Sequence, residues 1–306
     1  MSTIPRTPVP PGLDDPVPMT LPRLAEKKLL GEAIVMITAY DYPSARVAQA
    51  AGVDVVLVGD SAATTVLGYS STVPVSVDEM VMLAAAVRRG LRTPLLVGDL
   101  PFGSYEASDE QAIATAQRLV KEAGCDVVKL ERGGTSVRRA QAIVEAGIPV
   151  MGHIGLTPQT ATALGGYRAQ GRTAQRALTV VREALALQEA GCFSIVLEAI
   201  PAAVAAVVTE RLSIPVIGIG AGPGTDGQVL VFHDLLGIYE GHTPRFVKRY
   251  ADVREQMVAG VTQYADEVRH GAFPGPEHTY PINDEELRVF LEEVHAKDPG
   301  TSRPLS

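Results

Sequence analysis

The sequence predicts a (β/α)8 TIM barrel, and three observations carry the prediction. An Ala-rich helical stretch that ends in Ala-Gly and runs into a short β-branched segment recurs four times; further apolar runs bring the set to seven or eight; and helix-length amphipathic segments lie between them. The four copies are Ala51-Gly52 before VDVVLVGD, Ala123-Gly124 before CDVVKLE, Ala146-Gly147 before IPVMGH, and Ala190-Gly191 before CFSIVLE. Glycine just past a helix end adopts the left-handed conformation that other residues resist, so each pair marks a helix stop and each apolar run a strand. Near-continuous Val, Ile and Leu runs suit parallel strands buried on both faces.

In chain order, residues 1–19 carry prolines at 5, 8, 10, 11, 16 and 18 and read as a disordered tail. Thr20 to Leu30 reads as an extra helix before the barrel, with Pro22 near its first turn. Three runs without the Ala-Gly signal, AIVMITAYD (33–41), TPLLVGDLPF (93–102) and IPVIGIGAG (214–222), supply further strands, and QVLVFHDLLG (228–237) an eighth. Ser76–Arg89, Ser108–Ala123, Thr135–Ala146 and Thr173–Ala190 are apolar at helical spacing. A doubly wound sheet is the alternative, but no G-x-G-x-x-G joins an early strand to its helix, and the Gly-rich turn IGIGAGPGTDG follows the seventh run. After Pro281 comes one amphipathic helix and a loose end. The expected organisation is therefore a tail (1–19), one catalytic barrel (20–280) and a partly helical C-terminal extension (281–306).

With 46% hydrophobic and 20% charged residues in 306, the chain is not disordered throughout. A net charge of −8, from 27 basic and 35 acidic residues, argues against nucleic acid or an anionic membrane as partner and favours small molecules. The two cysteines, Cys125 and Cys192, open apolar runs and read as small buried residues, not as a disulfide or a catalytic thiol. Charged residues, Gly or Pro interrupt every apolar stretch short of the roughly 18 residues that span a bilayer. With no hydrophobic signal region at the start, the expected compartment is the cytoplasm.

Parallel barrels place their chemistry at the C-terminal ends of the strands. The polar residues there are Asp41, Asp60 with Ser61, Asp99, Lys129 with Glu131, His153 and Glu198. Any one of these acids alone reads as a helix cap; five acids, a lysine and a histidine on one rim read as an active site. Lys129 and Glu131, two apart on a strand, face the same side. If that side is the interior, a charged substrate, a metal ion or a compensating ion pair must be present. Two aspartates from separate strands, without paired cysteines or an H-E-x-x-H motif, suit a hard divalent cation such as Mg²⁺ rather than zinc. His233, His242, His270, His278 and His295 are expected at turns, surfaces or helix ends.

The blocks ITAYDYPSA, VGDS, STVPVSVDEM, AAVRRG, DLPFGSY, VKLE before Gly-Gly, GHIGLTPQ, GGYRAQGR, VLEAIP, IPVIGIGAG and TDGQVLVFHDLLG, spanning about residues 20 to 280, together resemble the ketopantoate hydroxymethyltransferase family. The resemblance implies a (β/α)8 fold, a large homo-oligomer, commonly a decamer, and one Mg²⁺ per subunit. It also implies hydroxymethyl transfer from the co-substrate 5,10-methylenetetrahydrofolate to 3-methyl-2-oxobutanoate through a Mg²⁺-stabilised enolate, in pantothenate synthesis. By position, it makes Asp60 and Asp99 metal ligands that also meet the substrate, Glu131 a metal-site carboxylate acting through water, and Glu198 the general base. Ser61 and Lys129 become substrate contacts, with His153 beside the substrate in a supporting role. One departure stands out: Arg132 separates Glu131 from Gly133 and Gly134, where the family usually reads Glu-Gly-Gly. Two alternatives are a Mg²⁺-dependent lyase or mutase of the phosphoenolpyruvate mutase and isocitrate lyase group, and a non-catalytic barrel that binds a keto acid. The first should carry a cysteine-bearing gating loop, which is not visible here.

Overall fold

The protein is represented by a computed structural model that describes residues 17–241 and 243–297. The proline-rich tail up to residue 16, His242 and the loose end beyond residue 297 lie outside the described residues. The chain divides into two compact units, one ending at Asp252 and the other starting at Val253.

The first unit is a closed barrel of eight parallel strands in sequential order. It opens with helix α1 (Leu21–Leu30), capped by the Thr20 side chain, followed by β1 (Ile34–Thr38) and α2 (Tyr42–Ala50). β2 (Val55–Val58) leads through the short α3 (Ala62–Thr65) to α4 (Val77–Gly90), and β3 (Leu95–Asp99) to α5 (Asp109–Lys121). Next come β4 (Val127–Glu131), α6 (Thr135–Glu145), β5 (Val150–Gly155) and α7 (Ala174–Glu189). β6 (Ser194–Glu198), α8 (Ala202–Arg211), β7 (Val216–Ile219), β8 (Gly227–Leu230) and α9 (Phe232–Leu235) complete the unit. The four Ala-Gly glycines, Gly52, Gly124, Gly147 and Gly191, all have positive φ after α2, α5, α6 and α7. They end the helices as the sequence predicts. The expected run at 228–237 is strand only in its first part, since Phe232 starts a helical turn. No helix joins β7 to β8, because Gly220, Gly222, Pro223 and Gly224 occupy that connection and none of them favours one.

Two apolar layers follow from strand alternation. One lies between strands and helices and includes Val56, Leu96, Val128, Leu130 and Ile195. The other fills the barrel interior with Met36, Val55, Leu57, Leu95, Val97, Val127, Met151, Val196, Ile217 and Val229. Leu24 of α1 belongs to this inner layer and is 2% exposed, so the helix before the barrel closes its N-terminal end.

One device recurs three times at that end. Asp54, Asp126 and Asp226 each precede or open a strand, donate their backbone N–H to the neighbouring strand, and accept through Oδ2 the N–H of the same neighbour. The neighbours are Val35, Leu96 and Val216, and each N–H to Oδ2 distance is 2.8 Å. Each carboxylate also meets a cation: Lys27 at 3.3 Å, Arg88 at 3.0 Å and Lys28 at 2.7 Å, respectively. The clamps pin β1 to β2, β3 to β4 and β7 to β8 at the face where barrels carry stability rather than chemistry.

The second unit holds α10 (Val253–Arg269), a 3₁₀ turn at Pro276–His278 and α11 (Asp284–Lys297), which is the helix expected after Pro281.

Asp226 serves two partly buried donors, and loss of such an acceptor costs about 1–3 kcal/mol. Asp226→Ala is therefore expected to lower unfolding free energy by that amount in urea titration, and Asp226→Asn by less. Equal stability of Asp226→Ala and the parent would contradict the clamp.

Candidate functional site

Strand parity brings the predicted residues together. Leu95 and Val97 on β3 share a face with Asp99; Val127 on β4 with Lys129 and Glu131; Met151 on β5 with His153; and Val196 on β6 with Glu198. The lower residue in each series fills the barrel interior, so the polar one emerges above it. The register sets Asp99 beside Lys129, Glu131 beside His153, and Gly155 beside Glu198. Asp60 and Ser61 follow β2. All seven line one cavity of about 630 Å³, with Leu57, Val196, Ile219 and Val229 as its apolar floor. Asp41 does not join them: its carboxylate accepts the N–H of Ser44 at 2.8 Å and caps α2. That acid has the ordinary helix-cap role.

The interior-facing Lys129 is paired. Its Nζ lies 2.8 Å from Asp99 Oδ1, with 4% and 1% of the two side chains exposed. Asp99 Oδ2 also accepts the backbone N–H of Asp60 at 3.1 Å. His153 is held between two carboxylates, with Nδ1 3.3 Å from Glu131 and Nε2 3.2 Å from Glu198. Burial and Lys129 depress the imidazole's proton affinity, but the Glu131 and Glu198 contacts outweigh them and push its pKa up to about 9. Burial, then Asp99 and Glu131, raise the Asp60 carboxyl well above the usual range, against Lys129. Burial also raises Asp99, although Lys129 opposes it. Ser61 Oγ is hydrogen-bonded to Tyr40 at 2.8 Å, and burial pushes that phenol up to about 12.

Acids outnumber bases. Four carboxyl groups (Asp60, Asp99, Glu131, Glu198) share the cavity with Lys129 and His153 as the basic groups beside them. Asp99 Oδ1, although close to Lys129, receives no aligned hydrogen bond and is buried. An oxygen-rich, negatively charged pocket of this kind fits a hard divalent cation. Among the described residues no three His, Cys, Asp or Glu side chains close around a single point. The arrangement accordingly suits an ion that takes one or two carboxylates and fills its other positions with water and substrate oxygens.

Two buried residues of the site were assigned no role from the sequence, although each closes one of the family-like blocks, DLPFGSY and GHIGLTPQ. Gln159 and Tyr105 sit behind the carboxylates, and a neutral amide after a proline or a tyrosine in a loop reads as ordinary turn chemistry. Among the remaining histidines, expected at turns, surfaces or helix ends, His233 lies in the single turn of α9, half-buried, with its ring 5.4 Å from that of Tyr40. His270, His278 and His295 are exposed at a helix end, a turn and within α11. Cys125 and Cys192 are free and buried, as expected.

Comparison with known proteins gives a consistent picture. A family model described as ketopantoate hydroxymethyltransferase matches residues 18–276. The 3-methyl-2-oxobutanoate hydroxymethyltransferase of Moorella thermoacetica is 54% identical over 262 residues, covering 86% of this chain and 97% of that protein. The mitochondrial 3-methyl-2-oxobutanoate hydroxymethyltransferase 1 of Arabidopsis thaliana is 53% identical over 283 residues, covering 90% and 82%. Among solved structures, 2,3-dimethylmalate lyase, a phosphoenolpyruvate mutase/isocitrate lyase superfamily member, aligns with TM-score 0.55 at 17% identity over 93% of this chain and 99% of that one. Phosphonopyruvate hydrolase in complex with oxalate and Mg²⁺ aligns with TM-score 0.56 at 13% identity over 92% and 100%. At those identities the structural likeness speaks for the fold. No helix among the described residues is long and apolar enough to cross a membrane.

Backbone strain sits directly after two of the site acids. Arg132, following Glu131, has φ +80°, and Ala199, following Glu198, has φ +48°. At Gly155 (φ +99°) a Cβ would collide with the Glu198 carbonyl oxygen, so β5 and β6 approach closely beside the site. A side chain in the left-handed region costs roughly 1–2 kcal/mol, more than the roughly 0.5–1 kcal/mol of chain entropy that glycine adds. Arg132→Gly is thus expected to raise the thermal midpoint slightly, and a clear fall would contradict strain at this position.

Proposed function

The chain belongs to the ketopantoate hydroxymethyltransferase family, and we propose that it transfers a hydroxymethyl group from 5,10-methylenetetrahydrofolate to 3-methyl-2-oxobutanoate, giving 2-dehydropantoate. The observation that carries this reading is the meeting of Asp60, Asp99, Lys129, Glu131 and Glu198 in one cavity, with more carboxyl groups than the one lysine can pair.

The difficult step is removal of a proton from C3, next to the ketone. In this reading Asp60 and Asp99 would hold Mg²⁺, and Glu131 would support it through water. Mg²⁺ bound there supplies Lewis-acid polarisation of the keto acid's carbonyl. Lys129 and the Ser61 hydroxyl offer positive charge and a hydrogen bond to the anionic end of the substrate. Leu57, Val196, Ile219 and Val229 give its branched methyl groups an apolar surface. Glu198, with 15% of its side chain exposed, accepts the C3 proton. Water cleaves both N–CH₂ bonds of the donor, leaving tetrahydrofolate and a one-carbon unit at the formaldehyde level; the electron pair left at C3 forms the new bond to that carbon, and its oxygen takes up a proton to become the hydroxyl. His153 touches both Glu131 and Glu198, and so supports the base from the side away from solvent.

The lyase and mutase reading draws on the fold alone, and both free cysteines are buried, so neither supplies a gating thiol. We also infer a cytoplasmic homo-oligomer, decameric by resemblance to the family. Exposed Met257, Val261, Tyr264 and Val268 on α10 fall at helical spacing and form an apolar stripe of the kind that a subunit contact covers.

A general base contributes roughly 10²- to 10⁴-fold in rate. Glu198→Gln is therefore expected to lower turnover at least about a hundredfold and to slow exchange of the C3 proton into deuterated water, with the thermal midpoint nearly unchanged. A folded variant that exchanges this proton at the parent rate would remove Glu198 from the role.

A further inference from the structure

We propose that Gln159 is the positioning residue of the cation-binding carboxylates: it holds Asp60 and Glu131 from one residue, and Tyr105 fixes which way its amide faces. The inference rests on the reading of this cavity as a cation site.

Gln159 is 4% exposed, and both polar atoms of its side chain are engaged, as is its backbone N–H. Its Nε2 donates to Asp60 Oδ2 at 3.1 Å and to the Leu100 carbonyl at 2.9 Å. Its backbone N–H donates to Glu131 Oε2 at 3.1 Å. Its Oε1 accepts the Tyr105 hydroxyl at 2.7 Å. The direction of the amide is not arbitrary. A main-chain carbonyl can only accept, so the NH₂ group must face Leu100, which turns the same nitrogen toward Asp60 and the carbonyl oxygen toward the phenol. Tyr105 completes the chain by accepting the Glu131 N–H at 3.3 Å while its own proton goes to Gln159.

The consequence for the site is geometric. Asp60 and Glu131 lie on either side of Gln159, which is 99 residues from one and 28 from the other along the chain. With Oδ2 tied to the amide, Asp60 keeps Oδ1 clear of any hydrogen bond to the described residues. Carboxylates that repel one another in a buried space would swing apart or become protonated without neutral donors aimed at them. An amide supplies those donors without adding charge, so it holds the acids in place without competing with a cation for them. Neither Gln159 nor Tyr105 lines the cavity, so both act through the acids rather than on substrate.

The test is calorimetric titration of Mg²⁺ into the metal-free full-length protein and its variants. Gln159→Met keeps the length of the side chain and removes its donors, and is expected to weaken Mg²⁺ binding about 10- to 100-fold. Turnover should be regained largely at saturating Mg²⁺, so that the Mg²⁺ requirement rises more than kcat falls. Tyr105→Phe keeps the ring, frees the amide to turn, and is expected to weaken binding about 3- to 10-fold. A folded Gln159→Met that binds Mg²⁺ within twofold of the parent overturns the proposal. If circular dichroism shows that Gln159→Met does not fold, Tyr105→Phe decides, and parent-like affinity in that variant overturns it. A parent that shows no saturable Mg²⁺ binding overturns the cation site itself, and this inference with it.

Discussion

Asp99 and Lys129 meet at 2.8 Å inside the barrel mouth, both almost wholly buried, and the rest of the site is arranged around charge that this pair does not cancel. Taking a carboxylate out of water costs several kcal/mol, and a single ion pair recovers that only with good geometry and further hydrogen bonds. Here the further bonds are visible. Asp99 takes the Asp60 N–H and Glu131 takes the Gln159 N–H, while His153 lies within ion-pair distance of Glu131 and Glu198. What remains is an excess of acids over bases, and burial, with Asp99 and Glu131 alongside, raises the Asp60 carboxyl. A stable fold tolerates such a surplus where a bound cation relieves it.

The barrel makes this concentration affordable by separating its two ends. At the N-terminal end α1 seals the interior with Leu24, and three aspartates clamp neighbouring strands. At the other end, the alternation that fills the interior with Leu, Val and Met lifts Asp99, Lys129, Glu131, His153 and Glu198 into the cavity. The same period of two therefore builds the core and aims the site. The two strained residues, Arg132 and Ala199, fall where the chain leaves β4 and β6 immediately after the acids, which is where strain is commonly stored in functional sites.

Most of the fold was legible in the sequence because parallel barrels have a strong local signature. Ala-Gly stops, two-sided apolar strands and Ser or Thr caps mark the boundaries of most elements within a few residues. Two features were harder to read. The connection from β7 to β8 lacks a helix because its glycines and proline forbid one, and the eighth run turns helical at Phe232. In the site, strand-end acids were legible because a charged residue after a buried strand is costly and therefore conspicuous. Asp41 shows the limit of that signal, since a capping aspartate and a site aspartate look alike until the fold separates them. Gln159 and Tyr105 fall inside family-like blocks but drew no role for the opposite reason: they are neutral, they lie in a 3₁₀ turn and a loop, and their importance comes from partners distant in the chain.

The central claim is that the excess of buried carboxylates makes the barrel mouth a divalent-cation site shared with a keto acid. The most direct test is to titrate 3-methyl-2-oxobutanoate into the metal-free protein with and without Mg²⁺ and compare affinities. If ion and substrate occupy one site, Mg²⁺ should tighten keto-acid binding, and by linkage the keto acid should tighten Mg²⁺ by the same factor. Keto-acid affinity that is the same in the presence and absence of Mg²⁺ would contradict the account.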